Sequence, residues 1–133
     1  MVLVDTNVLA YLLIAGDQTK TAQALYARDS DWRSEAFLLI EFSNILSTYI
    51  RADALTLQEG LQLHASAQSL MPTLTHVEHA RALEVGAEFT ISAYDARFIA
   101  LAMQMGVKLV TQDMKLRRAV PAWTRALEDA AAG

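Results

Sequence analysis

Two short apolar runs constrain this chain more than anything else in it. Met1–Val4 (MVLV) and Val107–Thr111 (VKLVT) are β-branched, uninterrupted by turn residues, and each stands directly before polar residues that can cap a helix. Runs of this length and type read as strands buried on both faces, which belong in a parallel sheet covered by helices. Between them lie segments of helical period. These are about Val8–Ala15, Thr19–Arg28, Ala36–Arg51, Leu55–Leu70 (with Thr56 as N-cap), Val77–Glu88 and Ser92–Met105, the last stopped by Gly106. Shorter strands are expected at Trp32–Ser34, Thr73–His76 and Ala122–Thr124, and a short helix from Asp113 to Ala119. Alternation of strand and helix predicts an α/β three-layer sandwich. Its mostly parallel central sheet has four to five short strands flanked by helices. Residues 1–127 form one domain in this reading, and Glu128–Gly133, an alanine-rich stretch, is a frayed tail.

Composition limits the chemistry. The chain has 133 residues, 53% of them hydrophobic, which is enough for a core. It has no cysteine, so disulfides and thiolate metal sites are excluded. The net charge of −4 speaks against a simple phosphate-binding surface unless bound cations change the local sign. The apolar run Val8–Ala15 is preceded by Asp5 and by no Lys or Arg, unlike a secretory signal, and is too short to span a bilayer. A soluble, cytoplasmic protein with no membrane association is expected. The three histidines have no metal-ligand spacing beyond His76 and His79, a pair straddling a strand end. There is no nucleophile elbow, phosphate-binding glycine loop or dinucleotide fingerprint.

The acids fall at telling places. Asp5 follows the first strand directly, and Asp113 follows Val107–Thr111 by one residue. In open parallel sheets ligands bind outside the carboxyl ends of the strands. Each acid is also an ordinary N-cap for the next helix. Asp95 stands three residues after Ser92, as in a capping box, where the helix dipole favours an acid. Glu41, in LLIEFSNIL, lies at the border of the apolar stripe formed by Leu38, Phe42, Ile45, Leu46 and Tyr49, with Asn44 and Thr48 on its edge. From that border it can face water or a cleft. Four acids brought together repel one another and raise their own pKa values. Divalent metal gives such a cluster a purpose, since Mg²⁺ and Mn²⁺ take carboxylate and water oxygens. Lys115, Arg117 and Arg118 after Asp113, and Arg97 after Asp95, are weak candidates for an RNA backbone contact.

Several segments together resemble the PIN-domain ribonucleases, specifically the VapC-type toxins of type II toxin–antitoxin systems. VLVDTNVLAYLL is similar to that family's first strand and helix. EFSNILSTYIR is similar to its Glu-containing helix, and SAYDARFIALAMQMGVKLVTQD to its second half. The resemblance implies a metal-dependent endoribonuclease that cleaves RNA phosphodiester bonds. Asp5, Glu41, Asp95 and Asp113 would hold one or two Mg²⁺ or Mn²⁺ ions and position the attacking water. Asn7, Thr111, Asn44 and Ser92 would support them. It further implies a homodimer, RNA as substrate and a small antitoxin protein as partner. A PIN-fold nuclease in RNA processing, or a PIN fold that binds without catalysis, are the alternatives. A signalling receiver domain fits less well, because Thr6 and Asn7 stand where it should carry a second acid.

Overall fold

The computed structural model describes residues 1–133. In chain order the elements are β1 (Val2–Val4), α1 (Thr6–Leu13), α2 (Thr19–Arg28), β2 (Trp32–Glu35), α3 (Phe37–Arg51), α4 (Leu57–Leu70) and β3 (Thr73–Thr75). There follow α5 (His79–Phe89), α6 (Ala93–Met105), β4 (Leu109–Val110), α7 (Met114–Ala119), a 3₁₀ turn (Pro121–Trp123), β5 (Thr124–Arg125) and α8 (Leu127–Ala132). The five strands form one sheet in the order β3-β2-β1-β4-β5, and every neighbouring pair is parallel. The α/β sandwich expected from the sequence is therefore present, with a wholly rather than mostly parallel sheet.

The connections fix where a site can be. From β1 the chain steps to β2 and then β3 on one side. It then crosses to place β4 and β5 on the other side of β1. Parallel crossovers are right-handed, so α1–α4 cover one face and α5–α7 the other. The contacts agree: α1 packs on α2, α3 and α4, while α6 packs on α5 and beneath β2 and β4. The strand order reverses between β1 and β4, and the crevice at the carboxyl ends of these two strands is the switch point where such sheets bind ligands. Register sets it closely, with Leu3 paired to Leu109 and Val4 to Val110. The Asp5 N–H donates to the Val110 carbonyl at 2.9 Å, which holds Asp5 beside Thr111.

The core joins both faces of the sheet. Leu3, Leu109 and Trp32 come from strands, Leu9, Leu38 and Phe42 from one helical layer, and Phe98, Ile99 and Leu101 from α6. Helix α6 is buried through its middle, at Ala96 and Phe98–Ala102, and Gly106 (φ 68°) ends it in the left-handed conformation that glycine tolerates best. Gly86 lets α5 approach α6, since a Cβ there would sit 3.1 Å from the Ile91 carbonyl oxygen. No helix is long and apolar enough to cross a membrane.

Several boundaries differ from the sequence reading. Helix α1 begins at Thr6, with Asp5 as its cap, and not at Val8. Helix α5 begins at His79 rather than Val77, and β5 starts only at Thr124 because Pro121–Trp123 turns first. The expected frayed tail is not frayed. Residues 127–132 form α8, which packs on α2 with Leu127 fully buried and Ala130 nearly so. Gln112 accepts a hydrogen bond from the Leu127 N–H at 2.8 Å and donates to Glu128 at 2.9 Å. Leu127→Ala is expected to cost about 2–4 kcal/mol, the usual range for emptying a closed core site. A urea midpoint unchanged by Leu127→Ala would mean that the helix contributes nothing to folding.

Candidate active site: a carboxylate cleft at the switch point

Asp5 is the most tightly held acid. One carboxylate oxygen accepts the Thr6 N–H at 2.7 Å, capping α1, and the other accepts the Thr111 hydroxyl at 2.7 Å. Asn7 donates to the Thr111 hydroxyl oxygen at 3.2 Å and, more weakly, to Asp5 at 3.5 Å. The Gln112 N–H in turn donates to the Asn7 side chain at 3.3 Å, and the Asp113 N–H to Thr111 at 3.1 Å. Thus Asn7 and Thr111 lace the end of β1 to the end of β4. Asp5 is only 8% exposed, and burial lifts its pKa to about 7, against the pull of the Thr111 and Thr6 hydrogen bonds. The charges of Glu41 and Asp95 raise it further.

The other three acids reach the same place from three helices. Asp113 caps α7, accepting the Leu116 N–H at 3.0 Å. Asp95 lies in the first turn of α6, where its own N–H donates to the Ser92 hydroxyl at 3.0 Å. Its carboxyl is raised above the usual range, first by burial and then by the charge of Asp113. Glu41, from the middle of α3, accepts the Thr6 hydroxyl at 2.6 Å. It too is raised, mainly by burial, with the charges of Asp95 and Glu35 adding and the Thr6 hydrogen bond opposing. Capping and site roles are therefore not alternatives here. Helices that start at the carboxyl rim of the sheet turn their capping acids into one cleft.

That cleft has a volume of about 590 Å³. Asp5, Glu41, Asp95 and Asp113 line it together with Thr6, Asn7, Asn44, Phe37, Ile40, Ile45 and Tyr94. None of the four acids forms a salt bridge within the chain. The donor set is entirely oxygen, which suits a hard divalent cation and not a softer metal. No three of the carboxylates close on a single point. That arrangement fits an ion held by one or two carboxylates and completed by water, the usual manner of Mg²⁺.

Other sequence candidates fall elsewhere. Ser92 is a helix cap and does not line the cleft, whereas Asn44 does. Arg97, considered as a backbone contact, is held in a different network. Its Nε donates to the Glu35 carboxylate at 3.2 Å and its Nη2 to the Val77 carbonyl at 2.9 Å, with the His79 Nδ1 at 3.2 Å. Arg117 and Arg118 face a separate groove of about 760 Å³ with Lys108 and Arg125, and Lys115 lines neither space.

The sequence reading passed over three participants. Thr6 stands in the sequence only as one of the polar residues after the first strand, yet its hydroxyl donates to Glu41. Glu35 ends β2 as Asp5 follows β1, and the parallel was there to find. Fully buried, Glu35 accepts the Phe37 and Val77 N–H groups at 3.0 and 3.3 Å besides pairing with Arg97. It therefore ties the start of α3, which carries Glu41, to α6, which carries Asp95. Tyr94, beside Asp95 in the sequence, lines the cleft as well.

Comparison with known proteins bears on the fold and the family. No curated protein matches the chain. Among solved structures, PAE2754 from Pyrobaculum aerophilum superposes with a TM-score of 0.80 at 19% identity, covering 98% of this chain and 91% of that one. FitAcB from Neisseria gonorrhoeae superposes with a TM-score of 0.62 at 20% identity, covering 99% and 94%. Both likenesses are of fold. The model of the PIN domain matches residues 2–120, a span that runs from β1 to the end of α7 and contains all four acids. The chain belongs to the PIN domain family.

Proposed function

We propose that this PIN domain is a Mg²⁺- or Mn²⁺-dependent endoribonuclease that acts in the cytoplasm as the toxin of a toxin–antitoxin pair. The observation that carries the nuclease reading is the convergence of Asp5, Glu41, Asp95 and Asp113 on one cleft at the switch point, with no cation of the chain to pair them. Folding alone gives no reason to gather four acids and leave them uncompensated. The toxin role, the antitoxin partner and the homodimer rest on the resemblance of the VLVDTNVLAYLL, EFSNILSTYIR and SAYDARFIALAMQMGVKLVTQD segments to VapC-type proteins.

In this reading Asp5, Glu41, Asp95 and Asp113 hold one or two ions. Bound there, a divalent cation would lower the pKa of water and offset charge on the phosphodiester. The chain's own contribution is placement. Thr111 and Asn7 fix the Asp5 carboxylate through hydrogen bonds, and Thr6 fixes Glu41. Raised pKa values mean that protons compete with a cation for these carboxylates, so occupancy should fall as pH falls.

The test is incubation of the purified protein with structured RNA in Mg²⁺ or Mn²⁺, then with chelator, then as Glu41→Gln. Endonucleolytic cleavage that stops with chelator is expected. Glutamine can still accept the Thr6 hydroxyl, so Glu41→Gln should keep the fold while losing about 10²–10³-fold in rate, as expected when a charge-stabilising group is removed. Cleavage by Glu41→Gln at the normal rate would make this carboxylate an ordinary helix-edge charge.

A further inference from the structure

The wall of the acid cleft carries an aromatic pair to which the hydrolytic reading gives no role. Tyr94, the second residue of α6, is 63% exposed although it lines the cleft. Phe37, the first residue of α3, lies flat against it, with ring centroids 5.2 Å apart and planes 8° from parallel. One face of the tyrosine is therefore fixed on Phe37, while most of the ring is open to solvent. Core packing does not explain an aromatic ring left this exposed.

The ring is also oriented before any ligand arrives. Its freedom is already restricted by Phe37, so little further ordering is needed on binding. Tyr94 is the residue before Asp95, so the open ring stands next to the carboxylates that would face a phosphodiester. Nucleobases stack on such rings with little regard to sequence, because every base has a π-face. A base inside a duplex has both faces covered by its neighbours, whereas an unpaired base can turn one face to the ring. An apolar side chain from a protein partner could also cover Tyr94, but it would shut the carboxylates away from water without neutralising them. In the ribonuclease reading the acids hold divalent cations, and those cations would give the phosphate next to a stacked base its counter-charge.

We propose that Tyr94, backed by Phe37, is a base-stacking shelf that holds and orients the nucleotide beside the scissile phosphate. This rests on the ribonuclease reading and names the side chain that would seat a base within it.

The test uses the full chain in Mn²⁺ with a short single-stranded oligoribonucleotide of mixed sequence and with the same strand annealed into a duplex. Tyr94→Ala should raise KM for the single strand about 5- to 100-fold, the ordinary worth of one base–aromatic stack, and leave kcat nearly unchanged. Tyr94→Phe should match the wild type. Tyr94→Leu, which keeps an apolar contact with Phe37 but lacks a π-face, should behave like Tyr94→Ala. An abasic nucleotide walked along the oligomer should, at one position, make wild type and Tyr94→Ala alike. Tyr94 is exposed, so all three variants should melt near the wild-type temperature.

The shelf is overturned if Tyr94→Ala leaves KM unchanged in an active protein, or if Tyr94→Leu restores it, which would make the pair a structural clamp. Unchanged KM together with lost inhibition by a protein partner would assign the ring to protein docking, and this too overturns the shelf. If the wild type neither binds nor cleaves the oligomer, the ribonuclease reading falls and the shelf falls with it.

Discussion

Asp5→Asn should abolish RNA cleavage, by about 10³-fold or more, while making the metal-free protein more stable above pH 7. The two effects have one cause. Asp5 is buried, and its carboxyl titrates near 7 in the folded chain against an ordinary value of 3.8. Because the folded value is the higher one, folding favours the protonated form. The stability this group contributes is complete below about pH 4 and is lost as pH rises through 7. The difference corresponds to about 4 kcal/mol at full ionisation. Without metal, the protein should therefore weaken steadily between pH 4 and 8. Mn²⁺ should raise Tm more at pH 8 than at pH 5, since it binds the ionised acid. Asparagine removes the charge but also disturbs the hydrogen bond from Thr111, so a net gain of about 1–2 kcal/mol is expected at pH 8. Thermal melts of both proteins in chelator across this range, beside the cleavage assay, check the pair of effects. A variant that is inactive and also less stable at pH 8 would point to simple misfolding instead.

Arg97→Met should cost about 3–5 kcal/mol of stability. Glu35 is wholly buried, and the Arg97 side chain is 13% exposed, so the pair is shielded from water on nearly all sides. Removing the guanidinium leaves Glu35 with two backbone N–H donors and no cation, and leaves the Val77 carbonyl without its side-chain donor. The double variant Glu35→Gln/Arg97→Met removes both charges and should recover a large part of the loss. Denaturant unfolding of the two variants decides the matter. Equal loss in both would show that the cost lies in packing and not in an uncompensated charge.

Much of this architecture was legible in the chain because its signals are local. Met1–Val4 and Val107–Thr111 are apolar, β-branched and bounded by capping residues, so both the strands and their carboxyl ends could be read directly. Asp5 and Asp113 follow from those ends, and Asp95 follows from the Ser92 cap. Glu41 was harder. On a helical wheel it sat at an edge that faces water or a cleft equally well, and only the neighbouring Thr6 hydroxyl and the other acids show which.

What was not legible depends on partners distant in sequence. Glu35 lies between the expected strand Trp32–Ser34 and the expected helix from Ala36, and it has no role until Val77 and Arg97, 42 and 62 positions away, are brought to it. The tail reads as frayed because Ala-rich segments this short are marginal helices alone. Its anchors are Gln112, 15 positions before Leu127, and the surface of α2 near the start of the chain. Arg97 reads as a weak candidate for an RNA backbone contact because its spacing from Asp95 says nothing of the buried carboxylate behind it.

The central claim is that the four-acid cleft is a divalent-cation site. Titration calorimetry of Mn²⁺ into the metal-free protein at pH 7, in two buffers of different ionisation enthalpy, tests it most directly. The expected result is saturable binding that releases protons, on the order of half a proton per chain, from an Asp5 carboxyl titrating near 7. Asp5→Asn should bind far more weakly and release fewer protons. Binding of equal affinity and equal proton release in Asp5→Asn, or no binding by the wild type, would contradict the claim.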